Sequence, residues 1–476
     1  MPVLLIVIPL AAVVVLNLPF HAVLRRAAFW FGISLCLFQA ALVVLAPGFI
    51  RGGSLASLSN LLRFVPAVDN LTLVMLLAIA VVGFSALMVA RYSIRDAERL
   101  FNFSNLVILA FAGMNGVVLA DDVFSLYVFL EITAVSSFIL IAFNGDRDAF
   151  EGTFKYIILS AAATAMILAA IALLFIVVGG VSFEGIRAAM GETGGRDPLL
   201  VAALILLTAG LFIKGGLVPF HGWLPDAYMA APPATSVLLA GIVTKTTGIY
   251  TLIRLVTSVF AVSETVNTLL LIVGAVSIFV GALAALGQSD FKRMLAYSSI
   301  SQVGYIVLGL GAGSALGVAG AIFHLFNHSV FKTLLFVNSA AVEQQSGTRN
   351  MDKLGGISDR MPVTGTTSVI AFLSTAGIPP LSGFWSKLII IVAVYKSGHP
   401  YLAALAILAS LITLAYFLSM QRRVFFGQLA QGLENLKEAS PWVLVTVSVL
   451  ALITIGIGIL MPWIFGTFLL PVGSIL

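Results

Sequence analysis

The length of its apolar runs limits this chain's fold more than any other feature. Fourteen stretches of roughly 20 residues, the length a membrane-crossing helix needs, follow one another with few charges inside them. They fall near 2–20, 28–48, 70–90, 104–120, 122–143, 156–179, 198–218, 235–258, 266–287, 294–311, 314–338, 362–394, 400–420 and 441–468. The runs are continuous, not alternating, and a backbone in lipid must satisfy its own hydrogen bonds. The expected fold is therefore an all-α polytopic membrane protein of about fourteen helices. Only 9% of residues are charged, against about a quarter in a soluble domain. The single cysteine, Cys36, excludes an internal disulfide and a Cys-based metal or Fe–S site. No cofactor is expected on this chain. The opening "MPVLLIVIPLAAVVVLNLPF" lacks the basic start and small-residue cleavage site of a signal peptide.

Basic residues orient the helices, because cytoplasmic loops carry an excess of Lys and Arg. With the N-terminus outside, inward loops hold fifteen of the 25, from Arg25 and Arg26 to Lys437. Outward loops hold five: Arg51, Arg63, Arg187, Arg196 and Lys396. Both termini are thus expected outside, in a bacterial or archaeal cell membrane. The net charge of +5 belongs to these loops and is not a nucleic-acid signal.

The remaining five basic residues, Lys214, Lys245, Arg254, Lys332 and Lys387, lie within spans. An ionised group at the bilayer centre is costly and usually faces a bundle interior or a wet cavity. Glu131 lies ten residues beyond Asp121, which is about 15 Å along a helix and half the hydrocarbon thickness. Lys245, in "LLAGIVTKTTGIYTLI", is similarly central. Lys214 and Lys387 each adjoin a helix break, one marked by Gly215, Gly216 and Pro219, the other by Pro379 and Pro380. Broken backbone at membrane depth is tolerated only against protein or water. Each lysine and its break therefore point to a hydrated cavity. His324, His328 and Lys332 share one helical stripe at spacing i, i+4, i+8, and imidazoles relay protons near neutral pH. Lys332 on the stripe of the histidines, Ser299, Gln302 and Tyr305 in "AYSSISQVGY", and His221 in the first break are candidate supporting groups. The alternative for these charges is a structural ion pair. Arg254 lies near a span end, where snorkelling is the simpler account; for Lys332 snorkelling and a role in the stripe stand equal, and Asp121 and Asp122 are expected to face the surface. A metal on His324 and His328 lacks a third ligand nearby and the HExxH pattern.

The broken runs are the seventh and the twelfth. That offset suggests two five-helix repeats, and an odd number of spans inverts one relative to the other, a recurrent transporter design. The expected divisions are 1–103 for helices 1–3, 104–258 and 259–425 for the repeats, and 426–476 for the last helix. By position, the run with Glu131 matches the Ser/Gln/Tyr run, and Lys214 matches Lys387.

These residues carry a resemblance. The motifs "LYVFLEITAVSSF", "KGGLVPFHGWLPDAYMAAPPATSVLLAGIVTKTTGIY", "DFKRMLAYSSISQVGY", "HLFNHSVFKTLLF" and "AGIPPLSGFWSKL" span about residues 100 to 420. The chain resembles the antiporter-like, proton-translocating membrane subunits of respiratory complex I, of Mrp-type sodium/proton antiporters and of group 4 membrane-bound hydrogenases. The resemblance implies that Glu131 pairs with Lys214, that Lys245 connects them onward, that His324 and His328 relay protons, and that Lys387 is the terminal ionisable group. Family members carry Lys or Glu at the last position, and the lysine favours the D-type subunit of Mrp and its nearest relatives. The sequence ends at Leu476, after its fourteenth span, so the long lateral helix of the largest members is not expected.

Three functions fit these residues. The first is a non-redox, proton-translocating subunit of a redox-driven complex, with Fe–S, flavin or NiFe centres on partner chains. The second is a D-type component of an Mrp multisubunit sodium/proton antiporter, and the third is a lone channel or carrier. The expected partners are other membrane subunits, antiporter-like homologues among them, and a peripheral redox arm in the first case. Few oxygen ligands lie within the spans, which favours protons over sodium.

Overall fold

Short polar caps set where the helices begin. In the computed structural model, which describes residues 2–18, 27–52, 68–193, 197–259 and 264–469, the side chains of Asp69, Asp96, Asp122, Asp146, Asp197, Asp290 and Ser314 each accept from a backbone N–H of the first turn. Such caps satisfy amides that the helix itself leaves free. Proline takes one of the first two helical positions in other cases, among them Pro233, Pro362, Pro400, Pro441 and Pro462.

The elements in chain order are α1 (Leu4–Leu16), α2 (Ala27–Leu45), α3 (Asn70–Ser93), α4 (Ala97–Leu119), α5 (Val123–Ile141), α6 (Arg147–Val178), the two-part α7 (α7a, Pro198–Gly215; α7b, Trp223–Ala230), α8 (Pro233–Ser258), α9 (Glu264–Leu286), α10 (Phe291–Gly311), α11 (Ala315–Ser346), the two-part α12 (α12a, Pro362–Ala376; α12b, Ser382–Lys396), α13 (Pro400–Val424) and α14 (Pro441–Ile459). Every expected span has a helix. Twelve are long and apolar enough to cross a membrane; α1 is shorter, and α12 is split. The only pairing of β type among the described residues is two isolated bridges. The protein is a multi-pass membrane protein.

Several boundaries move outward from the apolar runs. α4 begins at Ala97, α6 at Arg147, and α11 continues to Ser346. Their polar first or last turns extend the helix past the apolar stretch. α14 ends earlier, at Ile459, followed by a short helix over Met461–Ile464. Of the residues used for orientation, Arg25, Arg26, Arg63 and Arg196 lie outside the described residues.

Burial separates core helices from lipid-facing ones. α8 is buried throughout, and α10 and α11 are 94% buried over their most apolar stretch, against 28% for α6 and 33% for α13. The helices that carry Lys245, His324, His328 and Lys332 thus form the centre of the bundle.

The duplication is visible in matched landmarks. The α5 cap Asp122 bridges Ser182, and the α10 cap Asp290 bridges Asn350. α6 and α11 have the same length, 32 residues, and each ends on a left-handed glycine, Gly179 or Gly347. Both breaks open on a left-handed glycine, Gly216 or Gly377, followed by an amide that bonds five residues back: Leu217 to Phe212, Ile378 to Leu373. These landmarks lie in α5–α7 and in α10–α12, within the two expected repeats. Counted from these landmarks, Glu131 falls at the register of Ser299, Lys214 at that of Thr375, and Lys387 at that of Asp226. The expected pairing of Lys214 with Lys387 is therefore corrected: one precedes its glycine and the other follows its half-helix start, so they occupy different registers.

Candidate functional site

Lys214 lies in the last turn of α7a, where free carbonyls attract a cation. Its side chain is 3% exposed, and its Nζ lies 3.1 Å from Glu131 Oε1 on α5. Ser160 and Thr164 of α6 complete the group. Thr164 Oγ1 donates to Glu131 at 2.7 Å, and Lys214 Nζ donates to Thr164 at 3.3 Å and to Ser160 at 3.4 Å. Glu131 is 29% exposed and so faces the outside of the bundle, while its partner faces inward. Phe124, Val128 and Val135, on the same stripe of α5, are exposed as well. The break is braced from below: Trp223 Nε1 donates to the Ile213 carbonyl at 3.0 Å, and its ring stacks on Tyr156 at 4.2 Å.

Lys245 lies in the π-wound part of α8, Lys245–Tyr250, and is fully enclosed. Its Nζ donates to the Ala240 carbonyl five residues back. π-Bulges recur at functional sites, and here the widened turn lets an ammonium bond to its own helix. α8 meets the first break at Gly248, which packs on Gly215.

The α11 stripe continues the series. His324 and His328 are fully buried with near-parallel rings 6.1 Å apart. His324 Nδ1 shares a hydrogen bond of 2.8 Å with Ser386 Oγ of α12b. Neither ring nitrogen of His328 makes a hydrogen bond among the described residues. Lys332 bonds to Ser298 Oγ and to the Leu295 carbonyl. It is fully buried, so it does not snorkel.

Lys387 is buried one residue beyond Ser386. Its Nζ stands 4.5 Å from the centre of the Tyr305 ring and 3.5 Å from Ser410 Oγ. Tyr305 in turn donates to the Ala406 carbonyl at 2.6 Å. Ser301 Oγ is buried without a hydrogen-bond partner among the described residues, whereas Ser299 donates to the Leu295 carbonyl of its own helix; Gln302 is buried beside them. The structure thus brings Tyr305 to Lys387. His221 is half-buried on the turn Phe220–Gly222 and makes no hydrogen bond to Glu131, Lys214 or Lys245 among the described residues.

Two charge clusters escaped the sequence reading. Arg254 does not snorkel. It is buried and grips Asp69 with two nitrogens at 2.5 and 2.9 Å, and it also bonds to Tyr250 and Thr72. Asp69 is buried in part, but that pair and the Thr72 amide hold its carboxyl below the usual range. Lys292, counted among loop residues, is buried and lies 3.2 Å from Glu343. In each case the partner lies on a distant segment, which local patterning does not register.

Residues 120–413 match the family described as NADH:quinone oxidoreductase/Mrp antiporter, TM. The chain is 34% identical over 361 residues to the D subunit of a Na(+)/H(+) antiporter of Alkalihalophilus pseudofirmus, covering 76% of this chain and 73% of that protein. It is equally identical, over 369 residues and the same shares, to the N subunit of an NADH-quinone oxidoreductase of Desulforudis audaxviator. Among solved structures, a chain of the Mrp complex from Dietzia sp. DQ12-45-1b superposes over 100% of this chain and 96% of its own, with a TM-score of 0.89 and 24% identity. A chain of the membrane-bound sulfane sulfur reductase, an archaeal respiratory membrane complex, gives 0.84 and 27% over 100% and 97%. One from respiratory complex I of Thermus thermophilus gives 0.86 and 23% over 100% and 98%. The chain belongs to the NADH:quinone oxidoreductase/Mrp antiporter transmembrane family.

Proposed function

We propose that this chain is the proton-translocating, antiporter-like subunit of a multisubunit, redox-driven membrane complex of the NADH:quinone oxidoreductase or membrane-bound hydrogenase type. The observation that carries this reading is the Glu131–Lys214 pair at mid-helix depth, followed by buried Lys245, His324, His328 and Lys387. While Glu131 is close, it stabilises the charged lysine; an opposite charge within about 4–6 Å favours ionisation. When Glu131 turns towards the bundle surface, Lys214 loses its counter-charge in a buried site and gives its proton towards Lys245. The α11 histidines then pass charge to Lys387, and Lys332 tunes them. The outward stripe of Glu131 suits contact with a neighbouring membrane subunit whose charge opens the pair. Fe–S, flavin or NiFe centres belong on partner chains in this reading. Both termini face outward, supported by the loop bias of Lys and Arg.

The second reading is a D-type component of an Mrp sodium/proton antiporter, favoured by the similarity to the Alkalihalophilus pseudofirmus protein. Purification of the native complex with mass spectrometry of its partners separates the two. Partners with metal or flavin sites support the first, and small hydrophobic antiporter subunits alone support the second. Either reading requires that Glu131→Ala and Lys214→Ala abolish proton transport by the reconstituted complex while assembly persists. Transport that survives both changes would reduce the pair to a structural one.

A further inference from the structure

Lys292 is a buried cation that the proton path does not use. It is the second residue of α10, 1% exposed, and its Nζ donates to the Ala231 carbonyl at 3.0 Å. Ala231 follows the last residue of α7b. Arg349, on the loop after α11, donates from Nη1 to the Met229 carbonyl at 2.7 Å. Both cations therefore meet the negative C-terminal end of the half-helix beyond the Lys214 break. Their own counter-charges belong to the second repeat: Glu343 lies 3.2 Å from Lys292, and Asp290 and Glu343 lie 3.3 and 3.8 Å from Arg349. Asp226 of α7b is shared between the repeats, 2.7 Å from Lys155 of α6 and 3.6 Å from Arg293 of α10.

A clamp that merely stabilised the common fold would recur in both repeats. It does not. At the registers of Lys292 and Glu343 the first repeat has Phe124 and Phe175, both exposed. Among the described residues the cluster exists only where the second repeat grips the first.

We infer that Lys292 is a positioning residue: with Arg349 it fastens the C-terminal end of α7b to α10 and α11, so that the Glu131–Lys214 pair opens in step with the second repeat. The inference deepens the proton-translocation reading and rests on it.

The test uses the complete complex in vesicles, with Cys36→Ser and a nitroxide on Gly222→Cys. Gly222 is exposed in the break, and a Cβ there meets nothing within 4 Å. Lys292→Met is expected to mobilise the nitroxide, to lower proton transport roughly tenfold and to displace its pH profile, with Lys292→Arg restoring all three. An unchanged nitroxide line shape and pH profile in Lys292→Met, in vesicles where Glu131→Ala abolishes transport, overturns the inference and leaves the proton path standing. If Glu131→Ala instead spares transport, the proton path fails, and the nitroxide alone decides whether the clamp exists. Should Lys292→Met not assemble, Arg349→Gln releases the Met229 carbonyl and is read in the same way.

Discussion

Gly248 of α8 packs on Gly215 of α7a backbone to backbone: a Cβ on Gly248 would stand 2.3 Å from both the Cα and the nitrogen of Gly215. The Lys214 carbonyl carbon would lie at 2.9 Å. These are backbone atoms, so no side chain can rotate away to make room. Gly248→Ala must push α8 from the break that holds Lys214, an overpacking worth about 1–3 kcal/mol. A lower midpoint of thermal unfolding in detergent, with transport reduced beyond the loss of protein, is the expected result. Gly180→Ala, at a position with nothing within 4 Å, serves as the control and should be neutral.

Lys387 offers a separate handle, because a glutamate at its position can still exchange a proton. Lys387→Ala should abolish transport, and Lys387→Glu should retain part of it. The glutamate forfeits the contact over the Tyr305 ring, worth about 0.5–2 kcal/mol for a cation, so full activity is not expected. Proton uptake by vesicles holding each variant measures the difference. Equal loss in both would mean that positive charge, rather than exchange, is what the position supplies.

Arg254 and Asp69 form a partly buried pair, remote in sequence from each other, whose carboxylate is 31% exposed. Removing the arginine strands that carboxylate, and solvent screening keeps the cost below the ~3–5 kcal/mol of a fully buried pair. Arg254→Met should therefore lower the yield and thermal stability of the complex. The double change Arg254→Met with Asp69→Leu should recover much of the loss, since no charge is then left unpaired. Transport per assembled complex should stay close to that of the unaltered protein. A specific transport defect in the double variant would give the pair a role in proton movement.

What the sequence revealed follows from cost. A glutamate or lysine far from either end of an apolar run is expensive, so Glu131, Lys214, Lys245 and Lys387 stood out without knowledge of their neighbours. Breaks of Gly and Pro stood out likewise, because they free backbone groups at depth. Pairings across the chain were hidden: nothing near Arg254 announces Asp69, and nothing near Lys292 announces Glu343. The π-winding around Lys245 was also hidden, since α and π turns share the same apolar residues. The repeat register was legible only to within the break, and the landmarks Gly216 and Gly377 were needed to show that Lys214 and Lys387 are not equivalent.

Asp121 supplies a pH signature outside the spans. Burial raises its carboxyl from 3.8 to about 6, and the neighbouring Asp122 adds to the shift. A folded value above the unfolded one means that the folded protein binds the proton more tightly. The stabilisation is complete below the unfolded value and is lost as pH rises through about 6. Asp121→Asn has no such proton to lose. Its unfolding midpoint should fall less than that of the unaltered protein between pH 5 and pH 8, a range that brackets the raised value. Thermal unfolding of both proteins at the two pH values checks this. If both midpoints change in parallel, Asp121 ionises alike in the folded and unfolded chain, and the half-buried position at the head of α5 imposes no cost on its charge.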